Sequence, residues 1–206
     1  KWPRADKELL NQFHEGLIVF TGCPSGAVQT RLRLGQWDEA VAEAAELRDI
    51  FGAENFYVEV MDHGIDIERR THQQVLEIAK LMNAPLVATN DAHYVKRDDR
   101  KIQDALLCIN SGSRINDPDR FKFDGDGYYI RSSDEMRSLW SELPGACDST
   151  LEIAERCDVH FTTTKEGANY MPDFPVPEGE DKTSWFIKEV ERGLRDRFPN
   201  GIPDAV

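Results

Sequence analysis

Between Leu17 and Thr89, three short apolar runs alternate with two helix-like stretches, and this alternation constrains the fold more than any other feature of the sequence. Leu17-Ile18-Val19-Phe20 is β-rich and bounded by glycines, as a strand buried on both faces should be. Phe56 to Met61 and Leu86 to Thr89 read as the second and third strands. Trp37 to Phe51 is rich in Ala and Glu, with Val41, Ala45, Leu47 and Ile50 as its apolar stripe and Gly52 as its stop signal. Asp66 to Met82 predicts a second long helix with Val75, Ile78, Ala79 and Met82 on one face, and Asp6 to His14 a short one ahead of Gly16. The order β-α-β-α-β with short links predicts an α/β fold with a parallel sheet and crossover helices.

Ligands in parallel sheets gather at the carboxyl ends of the strands, in open sheets and barrels alike. The segments that follow the three runs are TGCPSG, MDHG and NDAHY, and each holds a residue type able to bind metal. Asp91 and His93 come first. Alternate residues of a strand share a side, so the two can face one point, and carboxylate with imidazole suits Zn²⁺, Mn²⁺ or Fe²⁺. The same three letters also fit a turn in which Asp91 caps the next helix and His93 packs nearby. Cys23 could supply a thiolate, or could be a small buried hydrophobe before a proline turn. Glu59 interrupts an apolar strand and must be paired, neutralised or directed at a metal; orienting a ligand is the preferred role. His63, followed by Gly64, fits a similar supporting role or a plain loop position. His72 is expected to be solvated, and His14 and His160 have no supporting context. Lys96 and Arg97 open a run of mixed charge that fits either a solvated helix start or a contact to an incoming phosphodiester. Asp124-Gly125-Asp126-Gly127 lacks the later ligands of a calcium loop and reads as a turn.

The second half predicts helices from about Asp98 to Asn110, from Ser133 (with Met136 closing the first turn and Glu135 near its amino end), from Ala146 to Cys157 after a Pro144-Gly145 break, and from Thr183 to Phe198. Residues 111–133 between the first two read as turn-rich, and Tyr170 to Pro177 as an extended linker. The expected division is therefore 1–165 and 166–206. A net charge of −13 argues against broad adhesion to nucleic acid but leaves room for a nuclease whose metals supply positive charge locally. No apolar run approaches the roughly 20 residues of a membrane helix. Four cysteines without framework spacing point to a reducing cytoplasm. Lys1 is not an initiator methionine and KWPRADKELL has no signal-peptide core, so the chain is expected to come from a longer one. Walker A, G-x-G-x-x-G, G-x-S-x-G and H-E-x-x-H motifs are absent from the sequence.

Taken in order, GLIVFTGCPSG, NFYVEVMDHG, PLVATNDAHYV, YYIRSSDEM and LEIAERC resemble the alpha subunits of bacterial DNA polymerase III, in the later part of their amino-terminal PHP domain; the cysteine in TGCPSG is similar to the actinobacterial type. The resemblance runs from about Lys1 to Asp158 and on through YMPDFPVP. It implies part of a distorted parallel β/α barrel followed by a helical extension. It also implies a face that binds divalent metals, Zn²⁺ or Mn²⁺, with Cys23, Asp91 and His93 matching ligand positions. In metal-retaining members that face performs 3′-to-5′ exonucleolytic proofreading; in others the domain is a scaffold that docks partners. The parent would be a replicative DNA-directed DNA polymerase acting on DNA with replisome proteins such as a sliding clamp or a proofreading subunit. The family's earlier ligands and its polymerase aspartates have no counterpart in these residues, so the chain alone is expected to be inactive. A free-standing PHP phosphatase is the other alternative, which the YMPDFPVP segment and the last helix disfavour.

Overall fold

The computed structural model describes residues 4–163, 166–167, 171–201 and 203. Lys165, at the expected domain division, and Tyr170, first in the expected linker, lie outside the described residues. The chain forms two compact units, Lys1–Asp158 and Val159–Val206.

In the first unit, α1 (Lys7–Gln12), capped by the Asp6 carboxylate, precedes β1 (Val19–Phe20). Two helices, α2 (Ala27–Arg33) and α3 (Trp37–Phe51), lead to β2 (Phe56–Val60). α4 (Asp66–Met82) then crosses to β3 (Leu86–Ala88). The strands pair in parallel in the order β1-β2-β3, with Phe20 opposite Tyr57 and Glu59 opposite Val87. Every residue of the central strand is buried, which is why its sequence is nearly unbroken in apolar character. β1 and β3 each have one strand neighbour among the described residues.

α2 was not foreseen from the sequence, and it explains a shift in α3. Ala40 and Ala44, not Val41 and Ala45, are the fully buried positions. Alanines there let α2 approach closely, while Val41, Ala45 and Leu47 pack at the rim of the core. The α4 stripe Val75, Ile78, Ala79 and Met82 is buried as expected. His72 is not simply solvated: it is half-buried and stacks over Trp140 with ring centres 6.1 Å apart.

After β3 the chain makes a short 3₁₀ turn, Arg97–Asp99, and enters α5 (Arg100–Ser111). α6 (Ser133–Leu139) is capped by Ser132, one residue earlier than expected, in a reciprocal box with Glu135. Pro144 does not break the next helix but opens it, since its fixed φ and missing N–H suit the first turn; α7 runs from Pro144 to Arg156. α7 packs along β3 and is tied to the sheet by Arg156, whose guanidinium donates to the Glu54 carbonyl (2.8 Å) and to the Tyr57 hydroxyl (3.0 Å). In the second unit α8 (Lys182–Arg197) is capped by Asp181 in a reciprocal pair with Ser184. No described helix is long and apolar enough to cross a membrane.

Candidate metal centre

The three strand ends are stitched together by buried polar contacts. The Thr21 N–H donates to the Tyr57 carbonyl and the Thr89 N–H to the Val60 carbonyl, both at 3.1 Å, carrying the sheet's pairing past the formal strands. The Thr21 hydroxyl oxygen accepts from the Glu59 N–H at 3.0 Å. The Glu59 carboxylate, buried in the central strand, accepts from the Thr89 hydroxyl at 2.6 Å and from the Gly22 N–H. It therefore joins the loop that carries Cys23 to the loop that carries Asp91 and His93. Burial pushes its pKa above the usual carboxylate value, partly offset by those two donors, and the nearby Asp91 charge adds to the rise.

Asp91 and His93 come together, but not by strand alternation. β3 ends at Ala88, and Asp91 adopts φ +40°, the left-handed region that Asp tolerates better than most residues. This turn sets His93 Nε2 3.4 Å from Asp91 Oδ1, with both side chains more than a third exposed. Two ligands of a tetrahedral ion with bonds of about 2.0–2.1 Å lie about 3.3–3.4 Å apart, so the spacing and the O/N chemistry fit a shared divalent metal. Cys23, on the loop after β1, is a half-buried free thiol. Among the described residues, no three His, Cys, Asp or Glu side chains converge as a metal site.

His63 is no plain loop residue; it is the buried anchor of this turn. Its Nδ1–H donates to Glu68 Oε1 at 2.6 Å, and its Nε2–H donates to the Asn90 carbonyl at 2.8 Å. Glu68 Oε2 also accepts the His63 backbone N–H at 2.7 Å. Acceptors beside both ring nitrogens favour the cationic imidazole. Burial opposes that charge, but Glu68 and the Asn90 carbonyl outweigh it and raise the pKa above 6.5. Both nitrogens are thus committed, and neither is free to bind a metal. The ring lies flat on Tyr128, with centres 4.0 Å apart. Burial, with the nearby Glu68 and Asp91 charges, pushes the Tyr128 phenol up to about 12.

The segment that supplies Tyr128 was read from the sequence as turns, yet it pairs with the loop after β3. The Asn90 side-chain amide donates to the Gly127 carbonyl (3.1 Å) and the Tyr129 carbonyl (2.5 Å). The His93 N–H donates to the Tyr128 carbonyl at 2.7 Å, and Tyr94 pairs in parallel with Tyr129. Gly125 makes the approach possible: it sits at φ +78°, and a Cβ there would lie 2.9 Å from the His63 carbonyl oxygen. Sequence reasoning therefore missed Glu68, Asn90 and Tyr128. The usable signal was Tyr128-Tyr129-Ile130, a β-prone triplet inside polar turns.

Arg97 is largely committed within the protein. It donates to Asp126 (3.2 Å) and to the Tyr129 hydroxyl (3.0 Å), and its guanidinium lies 4.9 Å from the Tyr129 ring centre. Tyr129 in turn donates to Glu135 at 2.6 Å, which holds that carboxyl below its usual pKa. Lys96 is exposed, and its backbone N–H is capped by Asp99.

Residues 1–63 match the PHP domain family. Along its full length the chain is 54% identical to the DNA polymerase III subunit alpha of Mycobacterium tuberculosis, of which it spans 17%. It is 50% identical over 200 residues to that of Saccharopolyspora erythraea and 33% identical over 208 residues to that of Thermus aquaticus, again spanning 17% of each. The three parallel strands and crossover helices, followed by helices α5 to α8, form a mixed α/β architecture, of which the part carrying β1 and β2 matches the PHP family.

Proposed function

We propose that this chain is a segment of the alpha subunit of a bacterial DNA polymerase III of actinobacterial type, and that its strand ends supply part of a metal centre that trims DNA 3′ ends. The observation that carries the proposal is the 3.4 Å pairing of Asp91 Oδ1 and His93 Nε2 at the carboxyl end of a buried parallel sheet. Similarity along the whole of this chain to polymerase subunits supports the parent's identity. In this division residues 1–165 belong to the PHP domain and 166–206 lead towards the polymerase core. DNA and the replisome, including a sliding clamp or proofreading subunit, would be the partners, in the cytoplasm.

Asp91 and His93 would hold a divalent ion, zinc or manganese, with Cys23 as a third donor and the remaining donors coming from outside this chain. Such an ion, when bound, lowers the pKa of a water and offsets charge on the phosphoryl oxygens. The chain's own contribution is rigidity. Glu59 ties the Cys23 loop to the Thr89 loop, and the His63–Glu68 pair fixes the carbonyl that immediately precedes Asp91.

The convergence of only two donors among the described residues favours a second reading, in which the domain is a scaffold that docks a separate exonuclease. Metal analysis and 3′-end trimming by the intact polymerase separate the two. Asp91→Ala with His93→Ala should remove both bound metal and trimming while polymerisation persists. Retention of metal and trimming would overturn the assignment.

A further inference from the structure

A cavity lies beyond Phe123, the ring that packs on His93. It has a volume of about 420 Å³, within the roughly 300–1,000 Å³ typical of small-molecule sites, and lies between the start of α5 and residues 122–126. Its lining is cationic in a chain of net charge −13: Arg97, Arg100, Lys101 and Lys122 face it. Its acidic members are largely spoken for. Asp104 receives a bidentate pair of 2.6 Å bonds from Arg120, and Asp126 pairs with Arg97. That leaves Arg100, Lys101 and Lys122 against Asp98. Arg120 holds the Asp104 carboxyl below its usual pKa, against some desolvation, with smaller attractions from Arg100 and Lys122.

Another wall is aromatic and shared with the candidate metal centre. Phe123 lines the cavity, and its ring centre is 4.5 Å from that of His93 and 4.8 Å from that of Tyr128. A ligand here therefore meets cations suited to a phosphate and a flat apolar ring suited to a base, one side chain away from His93. Divalent cations would be repelled by such a lining, and a purely apolar ligand would leave the cations unused. We propose that this cavity binds a nucleoside 5′-monophosphate unit, supplied as the terminal nucleotide of a DNA strand, with Lys101 and Lys122 serving the phosphate and Phe123 the base. The identity of the strand as substrate rests on the exonuclease reading above; the nucleotide chemistry of the cavity does not.

The test uses the full chain in excess chelator, so that no metal contributes. Amide spectra would be followed during titration with dAMP, inorganic phosphate, deoxyadenosine and a short single-stranded oligonucleotide. dAMP should shift amides of Arg97–Leu107 and Lys122–Asp126 and bind about tenfold more tightly than phosphate or nucleoside alone, since stacking and charge act together. Lys101→Ala with Lys122→Ala should weaken dAMP by about tenfold with an unchanged circular dichroism spectrum, and Phe123→Leu should erase its advantage over phosphate. The oligonucleotide should shift the same amides and displace dAMP; failure to do so overturns the strand-end assignment. Equal binding of dAMP and phosphate, or of dAMP by wild type and the double lysine variant, overturns the site itself. In the intact polymerase, loss of trimming on Asp91→Ala with His93→Ala while dAMP fails to bind wild type would sink the cavity proposal alone, whereas trimming that persists in that variant beside normal dAMP binding by wild type would sink the exonuclease reading alone.

Discussion

Replacing Glu68 by Gln should destabilise the first unit, and most strongly at mildly acidic pH. The side chains of His63 and Glu68 are 1% and 6% exposed, and the carboxylate accepts both the ring Nδ1–H at 2.6 Å and the backbone N–H at 2.7 Å. Glutamine preserves volume and one acceptor but removes the charge, and its NH₂ would meet a ring nitrogen that now donates. A hydrogen bond to a charged group contributes roughly 1.5–3 kcal/mol, so a loss of about 2–3 kcal/mol is expected. For a unit of this size, each kcal/mol shifts Tm by about 2–4 °C, giving a fall of about 4–12 °C. The pH dependence follows from the direction of the His63 shift. Its folded pKa lies above 6.5, so the stabilisation is complete below about pH 6.5 and disappears as pH rises through the folded value. Calorimetric unfolding of wild type and Glu68→Gln from about pH 6 to pH 9 should show a gap that narrows with rising pH. A gap under about 0.5 kcal/mol at pH 6, or one that widens towards pH 9, would refute the charged anchor.

Three further outcomes are expected. Asn90→Ala removes both donors to the Gly127 and Tyr129 carbonyls and should cost about 1–3 kcal/mol, with faster amide exchange at His93 and Ile130 than elsewhere in the unit. Gly125→Ala forces a Cβ to within 2.9 Å of the His63 carbonyl at φ +78° and should cost about 1–3 kcal/mol in denaturant unfolding. Glu59→Gln should behave in the opposite sense in metal-free protein. The folded pKa of Glu59 is raised, so wild type loses stability as pH climbs from about 4.5 through the folded value; the glutamine variant should therefore gain Tm relative to wild type over that window, and a constant difference from pH 4 to pH 7 would count against the buried carboxylate.

Much of the fold was legible in the order of residues because it rests on local periodicity. The three apolar runs became β1 to β3, α4 spans the expected Asp66–Met82, and Gly52 follows α3 at φ +84°. The pairing of Asp91 with His93 was also legible as a D-x-H motif after a strand, although its cause was not: strand alternation was expected, and a left-handed turn at Asp91 produces it. What the sequence could not display is the clamp around that turn. His63 meets Asn90 across 27 positions, and Asn90 meets Tyr129 across 39. Such contacts obey no helical or strand period, and a buried histidine with an acceptor at each ring nitrogen looks the same in a sequence as one in an open loop. Composition and periodicity set where the strands end and which metal-binding residue types stand there. Only the tertiary structure decided that His63 is an anchor and that residues 127–130 pair with the loop after β3, because each depends on burial and on partners distant along the chain.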